Sequence, residues 1–138
     1  CYLRGGQAAT VTDANVVLGR IDTAVPLGQG LRLDRTAAQA AVQRVAEQLG
    51  TDVRTCAEGI VGVAVAEMAR ALRVVSVERG IDPRGFALVA FGGAGPLHAC
   101  AVADALDMNT IVLPPAAGVL ARPRDGARPR RLPSQSAE

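Results

Sequence analysis

The run FALVAF at 86–91, followed by GGAG at 92–95, PLHACAVADAL at 96–106 and TIVL at 110–113, decides the fold class. Phe86 to Phe91 is a short apolar run closed by glycines, which predicts a buried strand ending in a tight turn. Pro96 suits the first position of a helix, where a missing N–H costs nothing. Thr110 to Leu113, closed by Pro114 and Pro115, predicts a second buried strand. Strand, helix and strand in this order make a right-handed βαβ unit with a parallel pair, so the class is α/β.

Two long helices are expected upstream. Thr36 to Leu49 places Ala38, Ala41, Val42, Val45 and Leu49 at three- and four-residue spacings, opened near Asp34 and stopped at Gly50. Thr55 with Glu58 has the pattern of a capping box, which predicts a second helix running to Gly80. Its expected apolar face is Ile60, Ala64, Met68, Ala71, Leu72 and Val75. Its many Gly and Ala residues leave little bulk, so it suits close packing against a sheet. Residues 1–35 read as loop-rich, with no more than a turn of helix after Asp13.

All 15 basic residues are arginine. The absence of lysine excludes a Schiff-base lysine and the phosphate-binding lysine of a P-loop. The formal charge of +2 is unevenly spread. Residues 121–138 carry five arginines against two acids, net +3, and the other 120 residues carry ten against eleven, net −1. With 2% aromatic residues to stack bases, a near-neutral body argues against nucleic-acid binding. Three prolines, five arginines and one large aliphatic residue in the last 18 positions predict a disordered tail.

Cys1, Cys56 and Cys100 form no Cys-x-x-Cys pair, and an odd count without a secretory signal suits reduced thiols in a cytoplasmic protein. With His98 the only histidine, a structural zinc site is not expected. No apolar run approaches the ~20 residues of a membrane span.

The glycine turn Gly92, Gly93, Ala94 and Gly95 sits at the carboxyl end of a strand, where open α/β sheets bind ligands and where helix N–H groups can meet an anion. It lacks the G-x-G-x-x-G spacing of dinucleotide folds, and the spacing alone leaves packing and phosphate or nucleoside contact equally open. For His98, a buried imidazole bonded to a nearby carbonyl is favoured over ligand contact, since no nucleophile or second histidine accompanies it. Asp13 reads first as a helix N-cap and second as a polar group in a cleft. Asp104 and Asp107 read as solvated, and Cys100 as packing.

Four strings, CYLRGG at 1–6, TVTDANVVLGR at 10–20, ARALRVVSVERGIDPRGFALVAFGGAGPLHAC at 69–100 and VLPPAAGVL at 112–120, together resemble the hydantoinase A / 5-oxoprolinase family. The resemblance runs in order over about 1–120. It implies an α/β fold that is part of an actin-like or sugar-kinase ATPase-type subdomain, with a βαβ unit and long helices. It implies an ATP-dependent hydrolase of cyclic amides such as hydantoins or 5-oxoproline, with Mg²⁺ neutralising phosphate charge and a hydantoinase B-type subunit or domain as partner. A related ATP-dependent ketone carboxylase is the alternative chemistry. In this reading Gly92, Gly93, Ala94 and Gly95 are the adenosine-side glycine motif, and no catalytic residue or metal ligand is assigned within the chain.

The chain also departs from the family pattern. Leu3 stands where the family usually has glycine, and the family's phosphate-binding loops lie upstream of what corresponds to Cys1. After Leu120 the sequence turns to ARPRDGARPRRLPSQSAE, which suggests out-of-frame or divergent sequence. The expectation is therefore a hydantoinase A-type fragment at 1–120 with a tail at 121–138, inactive alone. The competing expectation is a non-catalytic truncated product or interaction module.

Overall fold

The computed structural model describes residues 1–2, 6–27 and 30–115, so the expected tail at 121–138 lies outside the described residues. The elements are α1 (Val11–Val17), α2 (Arg35–Leu49), α3 (Val53–Val75), β1 (Ala87–Val89), α4 (Gly95–Ala105) and β2 (Thr110–Val112), with single 3₁₀ turns at Val77–Arg79 and Pro83–Gly85. The fold is helix-rich α/β. β1 and β2 pair in parallel, with Ala87 opposite Thr110, Leu88 opposite Ile111 and Val89 opposite Val112. The Ala90 N–H extends the ladder to the Val112 carbonyl at 3.0 Å.

The helices start and stop where short polar side chains and glycine dictate. Asp34 caps α2 by accepting from the Ala37 N–H at 2.8 Å, and Gly50, at φ 65°, ends it in the left-handed conformation that costs glycine least. The Thr55/Glu58 capping box expected for α3 does not form. Asp52 caps the helix instead, accepting from the Thr55 N–H at 3.0 Å and the Thr55 hydroxyl at 2.6 Å. Asp is at least as good an N-cap as Thr, and it lies three residues earlier. Glu58, freed from that role, pairs with Arg54 one turn away at 3.1 Å. The helix ends at Val75 rather than Gly80, because the Ser76 hydroxyl donates back to the Leu72 carbonyl at 2.6 Å and the chain tightens into a 3₁₀ turn.

The core is built of small side chains. Ala14 from α1, Val42 and Ala46 from α2, and Cys56, Ala57 and Val61 from α3 form one buried cluster. A second joins Val16, Leu33 and Ala38. The third, Ala69, Val102 and Leu106, binds the C-terminal half of α3 to α4, with Leu72 and Leu88 packed against it. The packing face of α3 thus differs from the expected stripe: Ile60 and Leu72 pack inward, whereas Met68, Ala71 and Val75 are exposed. One straight stripe cannot serve two bodies, and α3 packs on α1 and α2 at one end and on α4 at the other.

The strands are shorter than expected and are not buried. In both, only the central residue is half-covered. One face of the pair lies on the α3 and α4 layer, and no described residue covers the other. The N-terminal region also holds more structure than expected, since α1 begins before Asp13 and buries Ala14 and Val16.

Two outcomes follow. Asp52→Ala lowers the thermal midpoint of the purified chain by more than Glu58→Ala does, in melts followed by circular dichroism; the reverse order would restore the Thr55 cap. Ala57→Leu overfills the seam of the three N-terminal helices and costs about 1–3 kcal/mol in a urea titration, whereas an unchanged midpoint would mean that the seam has room.

Candidate functional site

The glycine turn lies where the parallel strand hands over to a helix. Gly92 takes φ 87°, a conformation that leaves little choice but glycine. Gly93 and Gly95 are different. Neither has a positive φ, and a Cβ added to either would meet nothing within 4 Å. No contact among the described residues therefore requires them to be glycine. α4 begins at Gly95, with Pro96 second rather than first, and no side chain caps it at Ala94. Its amino end accordingly presents a partly positive terminus with no protein acceptor supplied by a cap. Beside it is a shallow apolar cavity of about 150 Å³, lined by Met68, Val89, Phe91, Gly95 and Ala99 among others.

Asp13 is buried and saturated. Thr10, not Asp13, is the N-cap of α1, and Asp13 is the third helical residue of a complete capping box. One carboxylate oxygen accepts from the Cys1 amino group at 2.7 Å, and the other from the Thr10 N–H at 2.8 Å and its hydroxyl at 2.7 Å. Burial alone would raise its pKa, but the bonds from the Cys1 amino group and Thr10 outweigh it and hold the carboxyl below its ordinary value of 3.8. The Thr10-x-x-Asp13 spacing was the available signal for this box. A larger cavity of about 420 Å³ opens here, bordered by Tyr2, Thr10 and Asp13, yet the acid has its acceptors committed to the protein.

His98 is 2% exposed and lies in the second turn of α4. The expected bond to a neighbouring carbonyl is not made: among the described residues its Nδ1 has no hydrogen-bond partner. Burial lowers its pKa below 6.5, and the positive charge of Arg20 pushes the same way, so the ring is neutral at physiological pH. Asn15 has a related position that sequence reasoning passed over, with its amide donating to the Val11 carbonyl at 2.9 Å and its Oδ1 buried without a partner. Arg20, which follows α1, lies close enough to His98 for its charge to act on the ring, so the N-terminal segment and α4 meet here. Cys100, Asp104 and Asp107 are exposed, and the three thiols are free. Among the described residues no group of three His, Cys, Asp or Glu is placed to hold a metal, and no helix is long and apolar enough to cross a membrane.

Comparison with known proteins gives a consistent result. The family profile described as Hydantoinase/oxoprolinase matches residues 1–123. The caprolactamase alpha subunit of Pseudomonas jessenii is 40% identical over 121 residues, covering 87% of this chain and 17% of its own length. 5-Oxoprolinase 1 of Arabidopsis thaliana is 34% identical over 137 residues, covering 87% of the chain and 11% of the relative. The crystal structure of the ATP-dependent caprolactamase from Pseudomonas jessenii superimposes with a TM-score of 0.80 at 41% identity, over 85% of this chain and 17% of that one. The nucleotide-free acetone carboxylase structure gives 0.76 at 28% identity, with the same coverage. The chain thus spans about a sixth or less of the length of these relatives.

His98 imposes a pH dependence whose sign is fixed. The unfolded imidazole takes its proton near pH 6.5, while the folded one resists it. Stability tied to the neutral ring is therefore complete above about pH 6.5 and falls as the pH drops below it. Asp13, held below 3.8, does not titrate in that window. The thermal midpoint should fall between pH 7 and pH 5, and His98→Gln should remove most of the slope. An equal slope in the Gln variant would acquit the imidazole.

Proposed function

The chain belongs to the hydantoinase/oxoprolinase family, and on that premise we propose that it supplies the glycine-turn side of the nucleotide site of an ATP-dependent enzyme that opens small cyclic amides. The observation that carries the reading is the turn itself. Gly93 and Gly95 have neither a positive φ nor a described neighbour that a side chain would meet, so both backbones are open to a ligand approaching from outside. A nucleotide is such a body, and the uncapped amino end of α4 beside the turn favours its anionic character. In this reading Gly92, Gly93, Ala94 and Gly95 touch the adenosine side of ATP, within an actin-like or sugar-kinase type of subdomain.

The relatives support ATP and the substrate class. Two of them are named for caprolactam and 5-oxoproline, both lactams, and the caprolactamase structure is described as ATP-dependent. A lactam is a poor electrophile, and transfer of the γ-phosphoryl group to its carbonyl oxygen would create a leaving group for ring opening. The chain's part in such a reaction is to hold and orient the nucleotide with backbone N–H groups and an apolar floor at Met68 and Phe91. No group of three His, Cys, Asp or Glu among the described residues is placed to hold a metal, and no step through magnesium is assigned to this chain. The acetone carboxylase likeness keeps ketone carboxylation as a second reading, at lower identity and lower structural similarity than the lactamase. The partner subunit, of hydantoinase B type in this proposal, is supported by relatives named as subunits of larger enzymes.

The test uses the glycine amides as reporters. Titrating the isotope-labelled chain with ATP should move the amide signals of Gly92, Gly93 and Gly95 with a Kd of about 1 mM or weaker, near −4 kcal/mol, as befits one side of a cleft. Gly93→Val should abolish the movement without changing the melting temperature. Shifts elsewhere, or none at 10-fold higher ATP than that Kd, would refute the glycine-turn assignment.

A further inference from the structure

Two side chains on different helices end in buried polar atoms that no protein group meets. Asn15 of α1 and His98 of α4 are each 2% exposed. The Asn15 amide nitrogen donates to the Val11 carbonyl at 2.9 Å, which turns Oδ1 the other way, and Oδ1 can only accept. That oxygen and His98 Nδ1 are the buried side-chain polar atoms with no hydrogen-bond partner among the described residues. Since roughly nine in ten buried polar groups are paired, two orphans in so small a body call for a common explanation.

The chain brings the two helices together at this point. The Arg20 N–H closes onto the Asn15 carbonyl at 2.9 Å, and the Arg20 charge acts on the His98 ring, so the end of α1 and the first half of α4 are neighbours. Val65 of α3 packs against both the cluster that holds Ala14 and the one that holds Val102, which gives the two helices a common floor. Neither orphan is charged, because Asn15 has no charge and burial with Arg20 keeps the imidazole neutral. The group that suits both is small and uncharged, donates to Oδ1 and bonds a neutral imidazole nitrogen. Water has that chemistry, and about two polar partners are enough to hold it.

We propose that Asn15 Oδ1 and His98 Nδ1 are joined through one buried water, and that this junction makes Asn15 a positioning residue for the glycine turn. His98 stands three residues after Gly95 in the body of α4, so an imidazole held from α1 also holds the helix end from which the turn departs. The junction links α1 to the turn beside the longer route through α3. It concerns how the turn is held and not what binds there, so it stands apart from the nucleotide assignment.

Asn15→Asp in the full chain tests it. A carboxylate one water away from the imidazole favours its proton, so the proton affinity of the His98 ring, followed by NMR titration, should rise about tenfold or more. An unmoved midpoint overturns the proposal, because a remote or merely space-filling Asn15 cannot reach the ring. Asn15→Ala should shift the amide signals of Gly93 and Gly95 with no nucleotide present and leave that of Gly80, beyond the far end of α3, in place. Unshifted Gly93 and Gly95 signals overturn the positioning role. The unchanged chain supplies a readout that survives loss of either variant: a long-lived water should give nuclear Overhauser contacts to both the Asn15 side-chain amide and the His98 ring. A ring that contacts no such water refutes the junction.

Discussion

A single helix holds the two parts of the molecule together. α3 has 23 residues and, at ~1.5 Å per residue, is about 35 Å long. Its first half closes a core with α1 and α2, around Ala57 and Val61, and its second half closes another with α4, around Ala69. The described contacts between the glycine turn and the N-terminal helices therefore run largely through the body of α3 and its seam with α4. The Arg73 guanidinium strengthens that seam by donating to the Ala105 carbonyl at 2.6 Å, satisfying a group that the end of α4 leaves open. Small residues make the arrangement possible, because Ala57 and Ala69 let the neighbouring helices approach where larger side chains would hold them apart.

Against this apolar frame Asp13 and His98 are both buried, and their charges are resolved in opposite ways. Asp13 keeps its charge because three donors converge on it. His98 gives up its charge because burial and Arg20 both oppose the proton and no acid stands beside it. The first completes the capping box that Thr10 opens at the start of α1. The second is neutral and close in sequence to the turn, and it contributes shape rather than charge there. What the turn itself offers is backbone polarity beside an apolar cavity.

Much of this architecture can be read from residue order. The apolar periodicity and the Asp34 to Gly50 limits give α2 almost to the residue, and the FALVAF, GGAG and TIVL punctuation gives the parallel pair. The errors share a cause: local pattern reports what a segment can do, while neighbours choose among the possibilities. Asp52 and Thr55 were both competent caps, and only the observed helix start separates them. Met68 and Val75 fit an apolar stripe that bends away to serve two cores. The strands were read as buried because their composition is that of a two-sided interior, yet the described residues cover only one side. The turn between β1 and α4 was legible in GGAG. The freedom of space around Gly93 and Gly95 was not, because it depends on where every other backbone segment runs.

The two cores strung along α3 have a thermodynamic consequence. Cooperativity requires that the loss of one contact weaken the others, and the two clusters share one helix but few side chains. They therefore act as two adjacent units of local unfolding, with the β1–α4–β2 end the weaker, since its sheet has two strands of three residues. Val42 and Ala57 stand at the centre of the better-buried unit, and burial thins along α3 toward the turn. The segment best suited to meet a ligand is also the one whose ordering a ligand would most increase.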